Sequence, residues 1–177
     1  MKPVVQEFLH DPSIGQYGDC QRAVLASLLE LPIADVPHFL QDAKGDPATY
    51  WEALQIFCRS HGYVYLTVPN GPANFYGDEG DVFHEISGPS PRHAGTLHAV
   101  VGKNGAIFHD PHPSGMGLAG DPSIWERAYL VKAAPTQQAR RESLGQLSGI
   151  LPALPDAGLD SQKGESAAIA NGEGMQS

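Results

Sequence analysis

The sequence predicts an α+β domain with a mostly antiparallel sheet. Helix-like stretches come first and strand-like stretches follow, an order that separates the two kinds of element instead of alternating them. Two of the strand-like stretches are joined by a loop short enough for a hairpin, Lys103-Asn104-Gly105. Every aromatic residue and every histidine lies before Pro135, so the material for a core is confined to residues 1–134 of a 177-residue chain.

The elements follow in order. Asp19 reads as an N-cap with Cys20 as the first helical residue. From Ala23 to Leu29 only Ser27 is polar, which marks a helix buried on most sides and ending before Pro32. Residues 32–46 read as loop with one short helical turn. Asp46 and Pro47 then cap and open a second helix. It carries Tyr50, Trp51, Leu54, Phe57, Cys58 and His61 on one stripe and stops at Gly62. The three aromatics and Cys58 are expected in the core. Residues 63–69, YVYLTVP, are β-branched and aromatic and predict a strand. A glycine-rich loop at 70–81 leads to a second strand at 82–88. Strands at 97–102 and 106–110 form the hairpin, and a last strand spans 126–132. Residues 135–177 are small and polar, cannot repay the cost of ordering a backbone, and predict a disordered tail with a short helix near 140–154.

Composition removes several function classes. A formal charge of −9 disfavours a nucleic-acid or anionic-membrane partner. No apolar run is long enough for a bilayer span, and the N-terminus lacks the apolar stretch of a signal peptide. Two cysteines make no disulfide framework, so a cytoplasmic setting with both thiols free is expected.

The chemistry-bearing stretch is GQYGDCQRAVLASLLELP, residues 15–32. A cysteine at the first turn of a helix meets free N–H groups and the positive end of the macrodipole, which favour thiolate. Such a nucleophile needs an imidazole, and the imidazole an orienting acid. The hairpin offers both. If Lys103, Asn104 and Gly105 form a three-residue loop, Gly102 faces Ala106 and His98 stands directly opposite Asp110, on one face of the sheet. A two-residue Asn104-Gly105 turn would send His98 and Asp110 to opposite faces. Gln16, four residues before Cys20, offers a side-chain amide which, with the N–H of Cys20, would make an oxyanion hole.

A loop glutamine, Asp-Cys opening a buried helix, His-Ala-Val-Val on a strand and Asp-Pro after the next strand resemble the papain-like cysteine peptidase superfamily. The branch most similar is the bacteriocin-processing, double-glycine leader peptidase type. The phrases GDCQRAVLASLLELPIADVPHF and HAVVGKNGAIFHDPHPSGMGL also resemble small proteins of bacteria and their phages. The resemblance covers roughly residues 14–130. It implies a papain-like fold, with a central helix carrying nucleophile Cys20, base His98, orienter Asp110 and oxyanion donor Gln16. It differs from the family pattern in two ways: Gln16 lies four residues before the cysteine instead of six, and Gln21 stands where glycine is usual. It implies a peptidase acting on a peptide or protein substrate, with no cofactor and no metal. The same triad also runs acyl transfer and deamidation, and an inactive binding module of the same fold is a further alternative.

Other residues have plainer readings. His109 and His112 flank Asp110 and, with His98, offer a rival metal-ligand set, though regular alternation turns His109 away from Asp110. Arg92 and His93 read as exposed loop charges, and the acidic run Asp78, Glu79, Asp81 as a solvated loop. Substrate identity and oligomeric state are not encoded in any pattern of this sequence.

Overall fold

A computed structural model describes residues 1–69 and 80–134. Met1–Ala134 forms one compact unit. The expected tail, its short helix and the glycine-rich loop through Glu79 lie outside the described residues.

Among the described residues three helices precede a five-stranded sheet: α1 (Cys20–Leu29), α2 (Phe39–Asp42) and α3 (Pro47–Ser60), then β1 (Tyr63–Pro69), β2 (Phe83–Pro89), β3 (Leu97–Lys103), β4 (Ala106–His109) and β5 (Glu126–Lys132). The sheet order is β1-β5-β2-β3-β4 and every pairing is antiparallel. The last strand in sequence thus inserts between the first and second. The chain is α+β, as its order of elements predicts. The linker 32–46 holds a 3₁₀ turn at Ile33–Asp35 besides α2, where one turn was expected.

One core joins Leu25 and Ala26 of α1, Phe39 of α2, Leu54 and Cys58 of α3, Tyr65 of β1 and Ala128 of β5. A smaller cluster sets Val24 of α1 on Ala99 and Val101 of β3. Burying a leucine such as Leu25 or Leu54 contributes about 2–3 kcal/mol. Asp46 caps α3 as expected, its carboxylate accepting from the Thr49 N–H at 2.8 Å. Tyr50 packs against this core as expected, whereas Trp51 departs from it. Trp51 is 43% exposed, and both rings line a cavity beside the α1 N-terminus.

Asp19 precedes α1 as expected but makes no side-chain cap bond. Its carboxylate instead accepts from the N–H groups of Phe8 at 2.8 Å and Glu7 at 3.4 Å and pairs with Arg22 at 3.1 Å. A buried acid with two N–H donors and a guanidinium has its charge satisfied without the helix end. The result is a strap holding the N-terminal segment across the start of α1.

The β3–β4 hairpin corrects the expected register. Lys103 pairs with Ala106 and Gly102 with Ile107, so the loop is the two-residue Asn104-Gly105 turn. Both turn residues have positive φ, 49° and 83°, as a type I′ turn requires. Left alone, this register would separate His98 from Asp110. One step further the pairing shifts: Val101 faces His109, leaving Phe108 as the extra residue of a β-bulge. The added residue reverses the alternation a second time and returns Asp110 to the side of His98.

Candidate active site

α1 delivers Cys20 to one wall of a cavity of about 670 Å³, and the start of β3 delivers His98 to the same cavity. The two meet through adjacent backbone. The N–H groups of Ala99, the residue after His98, and of Gln21 both point at the Cys20 sulfur. They favour the thiolate, as does the helix end. Burial outweighs them and, with the nearby carboxylates of Glu85 and Asp19, pushes the thiol up to about 11. The resting sulfur is therefore protonated at neutral pH, contrary to the thiolate expected from its helix position.

His98 and Asp110 form the pair that the bulge makes possible, with Nε2 donating to Oδ1 at 2.7 Å. Asp110 is held in place on every side. Oδ1 also accepts from the His112 N–H at 2.8 Å, Oδ2 accepts from the Gly117 N–H at 2.8 Å, and Arg92 stands 3.7 Å from Oδ2. Burial works against the charge of Asp110. The His98 bond and the two N–H donors nevertheless hold its carboxyl below the ordinary range. Burial also lowers His98, against the raising effect of Asp110. The imidazole is neutral at pH 7, and the Nε2–H bond to Asp110 fixes the tautomer that leaves Nδ1 as a base.

Gln16 does not join this group. It lies outside the cavity, its amide nitrogen donating to the Leu9 carbonyl on an exposed loop. Asp11 and Gln16 exchange backbone bonds at 2.9 and 3.0 Å and close residues 11–16 into a separate turn that carries Gln16 away.

Gln6 borders the cavity instead. It is buried and lines the cavity. Its N–H donates to the Pro111 carbonyl at 3.0 Å, tying it to the Asp110 loop. Its Nε2 donates to the Phe8 carbonyl and lies 3.6 Å from where a Cβ on Gly18 would stand, beside the loop that delivers Cys20. An amide nitrogen has two hydrogens, so a second remains for a ligand. In the sequence Gln6 lies fourteen residues from Cys20, outside any local pattern around the thiol. The closed 11–16 turn removes that distance in space. The sole signal was a glutamine following the apolar Pro3-Val4-Val5.

Arg92 also departs from its expected place. Its side chain is largely buried beside Asp110 and bonds the Ser114 hydroxyl at 3.1 Å. His93 packs edge-on against His10, centroids 5.2 Å apart. Of the acidic run, Asp81 pairs with Lys103 at 2.9 Å, and the other two residues lie outside the described part. The rival metal set does not assemble: His109 turns to the Val4 carbonyl at 2.9 Å. Among the described residues no group of three or more His, Cys, Asp or Glu side chains is arranged around a metal position. Likewise, no single helix among them is long and apolar enough to cross a membrane.

Comparison with known proteins found no matching family model, no matching curated sequence and no matching solved structure.

Proposed function

We propose that this domain is a papain-like cysteine hydrolase that cleaves a peptide or isopeptide bond through Cys20, His98 and Asp110. The observation that carries the reading is the 2.7 Å His98–Asp110 bond at a cavity that also receives Cys20 from a helix N-terminus. In this reading a substrate carbonyl enters the cavity and Sγ attacks its carbon while the thiol proton passes to His98 Nδ1. The oxyanion accepts from the Cys20 N–H at the uncapped start of α1 and from the Gln6 amide. The C–N bond breaks and the leaving amine takes the proton from His98. Water, deprotonated by the same nitrogen, then attacks the thioester, releasing the acid and restoring the thiol. Asp110 stabilises the imidazolium formed in each half-reaction.

The protonated resting thiol decides how the nucleophile is made. With sulfur at about 11 and imidazole below its usual value, the pair rests neutral and the proton moves during attack. The same raised thiol also favours a second reading, a binding module that keeps the fold without turnover.

The pH profile of Cys20 alkylation by iodoacetamide separates the two. If His98 serves as base, the rate rises as His98 deprotonates, below the ordinary histidine value of about 6.5, and then levels. In His98→Ala the plateau disappears and the rate climbs toward pH 11. Identical climbing profiles in both proteins favour the binding module.

A further inference from the structure

The residue of the cavity that this mechanism leaves unused is Glu85. It stands on β2 opposite Ala128 of β5 and Val101 of β3, beneath the first turns of α1, and is 2% exposed. Its Oε1 accepts from the Ser87 hydroxyl at 2.8 Å, whereas Oε2 is covered and has no hydrogen-bond partner among the described residues. The Tyr65 hydroxyl and the Gln21 amide lie beside the carboxyl and favour its charged form, but neither reaches Oε2 in hydrogen-bond geometry. Among the described residues, the groups that act on it are Ser87, Tyr65 and Gln21, none of them cationic. Arg92 is committed to Asp110 and Ser114 at the His98 end of the cavity. Arg127 pairs with Ile86 across β2–β5 and acts on His84, and both of these alternate with Glu85 along β2.

A carboxylate buried without a cation or a full set of donors is costly unless something else repays it. Here the walls around it are aromatic. Tyr50, Trp51 and Tyr65 line the same cavity, with ring centroids 5.2 Å apart for Tyr50–Trp51 and 6.0 Å for Trp51–Tyr65. Trp51 is half-exposed, so the aromatic wall reaches from solvent inward. Aromatic faces leading to a carboxylate that has no cation beside it among the described residues are the surroundings that receive an alkyl chain ending in a positive charge.

We propose that the Glu85 end of the cavity is a subsite for a cationic side chain of the substrate, lysine being the type, held by the Glu85 carboxylate between the rings of Tyr50, Trp51 and Tyr65. The proposal rests on the hydrolase reading and gives it a substrate class: peptide or isopeptide bonds next to, or one residue from, a basic residue. Burial raises the Glu85 carboxyl to about 7, so the empty subsite is partly neutral at physiological pH and an arriving ammonium draws it into the charged form.

The test uses the full chain and dipeptidyl acyloxymethyl ketones, electrophiles that alkylate an active-site thiol, bearing lysine, norleucine or glutamate at either of the two positions next to the ketone. At pH 8 the lysine compound should inactivate Cys20 at least about ten-fold faster than its norleucine isostere at one position, as a charge-assisted bond implies. Glutamate should be slowest, and in Glu85→Gln the lysine preference should fall to about one. Norleucine equal to or faster than lysine at both positions in the unaltered protein overturns the subsite, whatever the fate of the variant. If no ketone labels Cys20, the hydrolase reading fails, and the subsite is then judged without the thiol. Cys20→Ala is titrated with N-acetyl-lysine amide and with N-acetyl-norleucine amide, following tryptophan fluorescence. A saturable change with the lysine amide alone upholds the subsite, and its absence overturns it.

Discussion

Cys20 and Cys58 make an instructive pair. Each belongs to a core-facing helix, and burial raises each thiol to about 11. The Glu85 carboxylate adds to the rise in both cases. Yet Cys58, near the C-terminal end of α3, is fully covered and packs with Leu54, Leu25 and Tyr65. Cys20, at the N-terminal end of α1, meets a cavity, two backbone N–H groups and, one residue along β3, a histidine tied to an acid. Ionisation in the resting state does not tell the two thiols apart. What tells them apart is that Cys20 shares an open cavity with the His98–Asp110 pair.

The comparison breaks first at the sulfur itself. Cys20→Ala should reduce hydrolysis of a peptide substrate by about 10⁵-fold or more, as loss of a triad nucleophile does. Cys58→Ala should leave turnover unchanged and lower stability by about 1 kcal/mol, the scale of a small buried truncation. Turnover assays and denaturant titration on both variants check this, and equal loss of turnover would erase the distinction.

The second effect is the hairpin. Asp110→Asn should lower turnover by about 10³–10⁴-fold, because an amide no longer holds the imidazole in its working tautomer. Deleting Phe108, the half-exposed bulge residue, should do the same with Asp110 intact, since the strand then carries Asp110 to the other side. The ¹⁵N shifts of His98 read the result directly: Nε2 protonated in the unaltered protein, mixed tautomers in the deletion variant. A deletion variant with full turnover would show that the bulge does not matter to the site.

Smaller again is the oxyanion pair. Gln6→Ala should lower kcat by about 10²-fold, the usual loss of one donor, and Gln16→Ala should change it less than about two-fold. The reverse ranking would return the role to Gln16.

The smallest effect is on folding, and it sharpens what the two thiols share. Glu85 has a folded value of about 7 against 4.5 for the free side chain. The folded state thus binds its proton more tightly, and stability falls as pH rises from about 4.5 to 7, by about 3 kcal/mol in total. Burial-lowered His84 and His98 contribute the opposite slope below about 6.5. The difference between the unaltered protein and Glu85→Gln isolates the carboxyl. Denaturant midpoints should diverge in favour of the variant across that window, and a flat difference would mean that Glu85 is not buried as described.

The sequence went far on local matters. The strands at 63–69 and 126–132 match β1 and β5 residue for residue, because β-branched and aromatic runs bounded by turn residues leave little freedom in choosing ends. The α3 cap was legible for a similar reason: Asp-Pro acts on the next three residues alone. The residues of the proposed triad were also visible, as a cysteine opening a helix and a histidine and an aspartate flanking a hairpin. The contacts between them were not. A turn of two residues instead of three, then a bulge at Phe108, cancel in parity, and neither can be read from 97–110 because both depend on how the edge strand β4 lies on β3. Gln6, Arg92 and Glu85 were hidden for one shared reason. Each owes its surroundings to segments remote in sequence: the Pro111 loop for Gln6, Asp110 for Arg92, α1 and β5 for Glu85. Local pattern set which elements form and where they end, since those choices are made within a few residues by backbone sterics and side-chain polarity. Which polar groups share a cavity, and how far burial moves their protons, was left to tertiary packing, because desolvation and pairing depend on what the rest of the chain brings alongside.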